Sequence, residues 1–156
     1  MFLLSRGRQR GLTLIELIIA SAILLTLATM ALPLARVRVK REKEIELRRA
    51  LREMRAAIDH FKEASDRGLI PVKAGSEGYP PDLETLVDGV DLGGVESRHV
   101  RFLRRIPLDP LTGGLDWGLR SIQDEPNSLS WGGDNVFDVY SKSRGTALDG
   151  TRYNDW

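Results

Sequence analysis

Cysteine is absent from the 156 residues of this chain, and histidine occurs only twice. The lack of cysteine excludes disulfide bonds and every metal site built on thiolates. His60 and His99 have no carboxylates at a spacing typical of a metal site, and the chain has no HExxH, no GxSxG and no phosphate-binding glycine loop. These absences argue against an enzyme and favour a structural or binding role.

Acidic residues are missing from the first eleven positions, which contain Arg6, Arg8 and Arg10. The whole chain has 23 Lys and Arg and 22 Asp and Glu, so the remainder carries 20 basic and 22 acidic residues. Positive charge is thus concentrated at the front. Residues 36–55 form a second cluster, with nine basic and four acidic residues. We interpret it as a solvated helix face, in preference to a site for lipid headgroups, nucleic acid or acidic faces of neighbouring subunits.

A long apolar run follows the basic front. Residues 12–35 contain Glu16 as their one charged residue, and as a helix they would extend about 36 Å, enough to cross a bilayer core. A cleaved signal peptide fits poorly, because the run continues for more than ten residues past Ala22. A plain membrane anchor leaves Glu16 unexplained, since a charge inside a bilayer is costly and usually functional. We therefore predict a transmembrane helix in which Glu16 has a specific role.

The stretch RGLTLIE resembles the cleavage and methylation motif of type IV prepilins. In that family a membrane peptidase removes a short basic leader after the glycine, and the new N-terminal amine is methylated. The resemblance implies that residues 1–11 are a leader, that cleavage falls between Gly11 and Leu12, and that Leu12 is N-methylated. The family most often begins its mature chain with phenylalanine, and Leu12 keeps the apolar character of that position.

Glu16 lies where an anion is needed once cleavage frees the amine of Leu12. At about 4 Å and an effective dielectric near 20, the two groups attract by on the order of 4 kcal/mol before desolvation is subtracted. Pairing with the amine of the next protomer would satisfy both charges only on assembly, so we predict a filament. The resemblance also implies a role in assembly for Pro33, which would remove one helical hydrogen bond and bend the helix.

An amphipathic helix is predicted over 36–67. Its apolar residues recur at intervals of four and three and lie on one stripe, namely Leu47, Leu51, Met54, Ile58 and Phe61. A stripe of about two heptads is more typical of a face packed on a domain core than of a coiled coil. We expect Gly68 to end the helix.

The remaining residues, 68–156, predict a loop, a short helix and a small antiparallel sheet. The helix is expected to begin near Asp82, and strands are expected over 117–122 and 136–141. The predicted fold class is α+β, with a long N-terminal helix packed on a small antiparallel β-sheet. The order of the long helix, YPPDLETL, IPLDPLTG and FDVYS is similar to that of the major pseudopilins of type II secretion systems, which implies a type IV pilin-like fold.

Major pseudopilins hold a calcium ion in their C-terminal loop, and the corresponding stretch is SKSRGTALDGTRYNDW. Asp149 is the one plausible side-chain ligand, because Ser143 or Arg144 stands near the position of the family's first aspartate. We therefore expect no cofactor, with Asp149 as the site if calcium binds. In the interpretation that we favour, Asp149 forms a turn with the next glycine, and Tyr153 and Trp156 hold the tail on the sheet.

The resemblance implies a pseudopilin, which is a structural subunit of a periplasmic filament that serves protein export by a type II secretion system. Expected partners are other copies of the chain, prepilin peptidase, other pseudopilins, the inner-membrane secretion platform and the membrane, and we expect no nucleic acid. The chain would cross the bacterial inner membrane once, with residues 36–156 in the periplasm. This orientation rests on the resemblance, because both flanks of the span are basic. The alternatives are a type IV pilin of a surface fibre and a monomeric membrane-anchored binding domain.

Overall fold

A computed structural model describes residues 13–93 and 98–156 of the chain, and for residues 30–34 it describes the backbone alone. The chain divides into two compact units between Val39 and Lys40. The elements are α1 (Leu14–Asp66), α2 (Leu83–Asp88), β1 (Val90–Leu92), β2 (Arg98–Val100), β3 (Gly118–Arg120), β4 (Asp138–Tyr140) and a 3₁₀ turn (Tyr153–Asp155). The predicted α+β class, with one long N-terminal helix and short antiparallel strands, is confirmed and is consistent with a type IV pilin-like fold.

The backbone of α1 stays helical at Pro33, and the side chain of this residue lies outside the described part of the chain. The helix ends where it was predicted to end. Gly68 adopts a left-handed φ of 71°, and its N–H donates to the carbonyl of Ser65 at 2.8 Å, while the N–H of Leu69 donates to Ala64 at 3.0 Å. A glycine closes the last turn at low cost in this conformation, because it has no Cβ.

The described part of the first unit, residues 13–39, is the first half of α1. Its long apolar side chains from Leu14 to Leu27 are all exposed in the single chain. Among the residues that the structure describes, no helix meets both the length and the apolarity required of a membrane span. The span proposed over 12–35 therefore stays a prediction.

The second unit is built on the second half of α1. The predicted apolar stripe is buried along its whole length, from Leu47 to Phe61. The stripe packs in one core with α2, the segment that follows β2, and the β3–β4 hairpin, through Leu86, Leu103, Trp117, Val136 and Val139. Burial of such side chains stabilises a fold by roughly 1.5–3 kcal/mol each, which makes the stripe the main source of cohesion in this unit.

Two two-stranded antiparallel sheets take the place of the single small sheet that was predicted. Strands β3 and β4 pair with Leu119 opposite Val139 and lie within the two predicted segments. Strands β1 and β2 pair with Asp91 opposite His99, and the sequence analysis missed both. Each has only three residues, which is too short for the alternation over four to eight residues from which a strand is recognised.

Helix α2 begins at Leu83, as predicted, because Asp82 caps it. The Asp82 carboxylate accepts from the N–H of Thr85 at 2.7 Å and from its hydroxyl at 2.6 Å. An aspartate at this position satisfies helix N–H groups that have no partner within the helix. The cap fixes where the loop that follows α1 ends.

Two carboxylates fasten the sheet β3–β4 to its surroundings. Asp109 is fully buried, accepts from the N–H of Leu111 at 2.8 Å and accepts from the hydroxyl of Ser141 at 2.6 Å. Asp138 accepts from Arg55 of α1 at 2.7 Å and from Arg120 of β3 at 3.3 Å. These bonds tie the PLDPLTG loop and α1 to the end of the hairpin.

Gly118 lies under the ring of Tyr140, its partner across the β3–β4 pair. The Tyr140 hydroxyl donates to the carbonyl of Leu129 at 3.1 Å, and the guanidinium of Arg120 lies 4.2 Å from the centre of the Tyr140 ring. A Cβ at position 118 would overlap the ring. The absence of a side chain at 118 therefore sets the position of Tyr140 and of the loop bonded to it.

We expect Gly118→Ala to lower the free energy of unfolding by about 1–3 kcal/mol, because the Tyr140 ring must leave its place. Urea denaturation of the full chain in detergent, followed by tryptophan fluorescence, measures the change. Gly114→Ala is the matched control, since a Cβ there would meet its nearest heavy atom at 3.8 Å. Equal stability of the two variants would contradict the packing described for Gly118.

Candidate functional site

The first candidate site is the beginning of α1, where Thr13 precedes the helix and Glu16 lies in its first turn. The N–H of Glu16 lies 3.4 Å from the hydroxyl oxygen of Thr13. A threonine followed three residues later by a glutamate is the pattern of a capping box, in which each residue serves the other's backbone N–H. The predicted cleavage and methylation positions, Gly11 and Leu12, lie outside the described residues.

The carboxylate of Glu16 is exposed. Within residues 13–93 and 98–156, no hydrogen-bond donor or cation contacts it. The apolar side chains around it are exposed as well, among them Ile15 and Leu17. A charge on an otherwise apolar helix surface is thus left without a partner in the described part of the single chain, so both the charge and the apolar surface are available to something outside it.

Two hydroxyl groups farther along this half of α1 are satisfied inside the helix. The hydroxyl of Thr26 donates to the carbonyl of Ile23, and that of Thr29 donates to the carbonyl of Thr26, both at 2.7 Å. Threonine hydroxyls bonded back to their own helix need no water. Apart from Glu16 and Ser21, the described side chains of 14–29 are therefore apolar or have their hydroxyl groups bonded within the helix.

The second candidate site is the C-terminal loop, where Asp149 was named as the calcium ligand. One carboxylate oxygen of Asp149 accepts from the N–H of Thr151 at 3.0 Å and from its hydroxyl at 2.6 Å. The other oxygen accepts from the guanidinium of Arg48 at 3.2 Å. The hydrogen bonds from Thr151, with the nearby Arg48, lower the pKa of Asp149. Gly150 has a φ of 89°, which confirms the predicted turn.

Glu44 of α1 is the residue on which this loop closes, and the sequence analysis missed it. It is 8% exposed, and one of its oxygens accepts from the N–H of Leu148 at 2.8 Å and from the hydroxyl of Tyr153 at 2.9 Å. Burial and the neighbouring Glu44 carboxylate raise the pKa of Tyr153 to about 12. The phenol therefore stays protonated and keeps donating to Glu44.

Arg48, one turn after Glu44 on α1, holds the other side of the loop. Its guanidinium lies 4.1 Å from the centre of the Trp156 ring, in addition to its bond with Asp149. The rings of Tyr153 and Trp156 meet edge to face at 5.2 Å. These two aromatic residues were predicted to hold the tail on the sheet, but their side chains contact Glu44 and Arg48 of α1. The 3₁₀ turn that contains Tyr153 also lies against β4.

The geometry of the C-terminal loop does not suit calcium. Calcium takes six to eight oxygen ligands, and Arg48 brings a positive charge to the one carboxylate that was proposed. In the described part of the chain, no three acidic or histidine side chains lie close enough together to hold a metal ion. The calcium site at Asp149 stays an untested prediction that these contacts disfavour.

The two histidines have ordinary surroundings. His60 is exposed on α1. His99 is exposed on β2, where its ring nitrogens lie 2.9 Å from Asp91 and 2.8 Å from the carbonyl of Asp88. The hydrogen bond to Asp91 raises the pKa of His99. These contacts close the β1–β2 hairpin onto the end of α2 and leave no arrangement typical of a catalytic histidine.

The comparisons with known proteins bear on the beginning of α1. Residues 6–32 match the family profile described as the prokaryotic N-terminal methylation motif. Neither the curated proteins nor the solved structures gave a match. The chain thus carries the N-terminal methylation motif of prokaryotic type IV pilins and pseudopilins. Such a motif implies processing by prepilin peptidase and assembly into a filament in general, supports a structural subunit over an enzyme, and suggests membrane anchoring.

Sequence reasoning found Glu16 and Asp149 but not the residues that act with them. Thr13 could have been found, because Thr-x-x-Glu before an apolar run is a known helix-start signal. Glu44 and Arg48 gave no such signal. Their partners lie about a hundred residues away along the chain, and a charged pair four residues apart on a helix is ordinary.

We expect millimolar calcium to leave the melting temperature of the protein unchanged within about 1 °C relative to a chelator, because a ligand stabilises only a fold that binds it. Differential scanning fluorimetry of the full chain in detergent measures this. The variant Arg48→Ala in the same assay tests whether Arg48 is what disfavours calcium, because the substitution removes the cation that competes for Asp149. A rise of several degrees in the unaltered protein would contradict our account of the loop.

Proposed function

We propose that this chain is a pseudopilin, a structural subunit that assembles into a periplasmic filament of a type II secretion system for protein export. In this proposal residues 1–11 are removed, residues 12–35 lie in the inner membrane, and the second unit lies in the periplasm. The partners are prepilin peptidase, further copies of the chain, other pseudopilins and the secretion platform. The subunit does mechanical work by assembling and performs no catalysis.

Three observations support a subunit of this kind. The methylation motif covers residues 6–32, a long helix begins directly behind the proposed cleavage position, and that helix continues into a small α+β unit. The choice of a secretion filament over a surface fibre rests on the absence of cysteine from the sequence and on the order of its loop and strand motifs. Pilins of surface fibres often close their C-terminal loop with a disulfide, whereas Glu44 and Arg48 close it here.

The observation that carries the proposal is the carboxylate of Glu16. It lies in the first turn of α1, four residues after the proposed new N-terminus, and no described group contacts it. Helix starts attract acidic residues, but the attraction contributes only about 0.3–1 kcal/mol at exposed positions. A charge left among exposed apolar side chains needs a stronger partner. The freed amine of a neighbouring subunit supplies one of opposite sign at similar depth.

Two explanations exist for Glu16: its charge pairs with another subunit, or its side chain completes the capping pattern with Thr13. Mutations separate the two explanations. Glutamine at position 16 keeps the capping pattern and removes the charge, whereas Thr13→Ala removes the cap and keeps the charge. If charge pairing drives assembly, Glu16→Gln should assemble much less than Thr13→Ala. If capping alone explains Glu16, Thr13→Ala should be the more damaging change.

We expect Glu16→Gln and Glu16→Ala to be inserted and processed normally but to assemble at least about tenfold less, because an ion pair of on the order of 4 kcal/mol before desolvation is lost. Thr13→Ala should assemble within about twofold of the unaltered chain, since a cap contributes about 1 kcal/mol. Cross-linked oligomers in isolated membranes measure assembly. Normal assembly of Glu16→Gln would contradict the proposal.

A further inference from the structure

A run of arginines without a counter-charge lies between β2 and the loop before β3. Residues 98–108 contain Arg98, Arg101, Arg104 and Arg105 and no acidic residue. None of the four belongs to an ion pair among the described residues. Their side chains are exposed, so their positive charge faces solvent.

Arg104 and Arg105 border a groove of about 820 Å³ between this segment and α1. On the α1 side the groove is lined by Glu46, Arg49, Ala50 and Glu53, so three arginines outnumber two glutamates and the lining is net positive; the remaining lining residues are apolar. Leu108 and Leu115 are 61% and 56% exposed, which is a large exposed fraction for leucines that line a groove. We name this surface the arginine groove, defined by Glu46, Arg49, Ala50, Glu53, residues 104–108 and Leu115.

The loop between β3 and β4 has the opposite character. Residues 122–137, which we name the acidic knob, contain Asp124, Glu125 and Asp134 and no basic residue. The knob also exposes large apolar side chains, with Leu129 at 64% and Trp131 at 39%. No residue of the knob lines the groove. The second unit therefore has two separate surfaces with apolar centres and opposite charge.

The knob is held in one shape by its own hydrogen bonds. The Asp124 carboxylate accepts from the N–H groups of Ser121 at 2.7 Å and Gly132 at 3.1 Å, which lowers the pKa of Asp124. The indole N–H of Trp131 donates to the carbonyl of Asn135 at 2.8 Å, and the Tyr140 hydroxyl donates to the carbonyl of Leu129. A preformed loop loses less conformational entropy on binding than a flexible one.

We propose that the acidic knob of one subunit docks into the arginine groove of a second copy of this chain. Charge complementarity favours a second copy as the occupant, because the same chain supplies an acidic projection with exposed apolar side chains and a partly apolar groove whose charged lining, three arginines and two glutamates, is net positive. Complementary charges of this kind steer and orient association, and exposed tryptophan is typical of the residues that dominate interfaces. The inference rests on the proposed function, which places many copies side by side.

The contact is heterologous, since different surfaces of the two copies meet. Such contacts propagate into an open chain of subunits when the rotation between copies does not close a ring. Pairing at Glu16 and docking of the knob would then be separate contacts between subunits, the first made by the first unit and the second made by the second unit. Each is tested separately, because the two use different residues.

The absence of native cysteine allows a direct test by disulfide cross-linking of the full chain in membranes. Glu53→Cys lies in the groove, and Ser130→Cys lies on the knob beside Trp131, where the Ser130 side chain makes no described hydrogen bond. The double variant should give a ladder of oligomers under mild oxidation. Each single variant should give little product, because a heterologous contact brings unlike positions together.

Charge reversal tests the reason for the contact. In the double-cysteine chain, Arg104→Glu with Arg105→Glu should reduce the ladder at least about tenfold, and adding Glu125→Arg with Asp134→Arg should restore it. Arg67→Glu is the matched control. Arg67 is an exposed arginine that directly follows α1 and pairs with Glu63 of that helix, away from the groove, so its reversal should leave the ladder unchanged.

A second cysteine pair, Leu14→Cys with Leu17→Cys, reports on the filament independently of the globular units. If this pair forms a ladder and the Glu53–Ser130 pair does not, the knob-and-groove contact is wrong and the filament stands. A ladder insensitive to charge reversal, or strong dimers from Ser130→Cys alone, would also overturn the contact. If neither pair forms a ladder, the filament proposal fails and this inference fails with it.

Discussion

Burial of the apolar stripe on α1 is the constraint on which the rest of the second unit depends. The described strands have three residues each, and two-stranded sheets of that length are not stable alone. Both sheets pack on the core that the stripe forms, β3–β4 through Val139 and β1–β2 through Val90 and Leu92. The Phe102 ring, just after β2, meets Phe61 edge to face at 5.3 Å. The stripe also presents Glu44 and Arg48 at its margin, so the same helix that organises the core closes the C-terminal loop.

The parts of the fold that sequence predicted are those fixed by local patterns. The stripe repeats over four turns, Asp82 is a local cap, and Gly68 is a local stop, so each could be read from neighbouring residues. Strands β1 and β2 depend on distant contacts instead. The N–H of Gly93 donates to the carbonyl of Leu69, and this bond orders a segment whose own composition does not favour a strand.

The candidate site divides in the same way. Glu16 was predictable because a lone carboxylate in an apolar run is conspicuous in a sequence, and the capping pattern with Thr13 lies beside it. The closure of the C-terminal loop was not, because the bond between Glu44 and Tyr153 joins residues 109 positions apart. Each of the two units has charged side chains without a partner in the described chain. The carboxylate at the start of α1 and the arginines near β2 both lack partners in the described chain, and further copies of the chain can supply them.

Mass spectrometry of the protein isolated from membranes tests the central claim most directly, since every step of the account begins with cleavage behind Gly11. We predict a mature chain that begins at Leu12 and carries the mass of one added methyl group, in the unaltered protein and in Glu16→Gln alike. An intact chain beginning at Met1, or cleavage at another position, would contradict the account, because the carboxylate of Glu16 would then have no freed amine at its own depth to pair with.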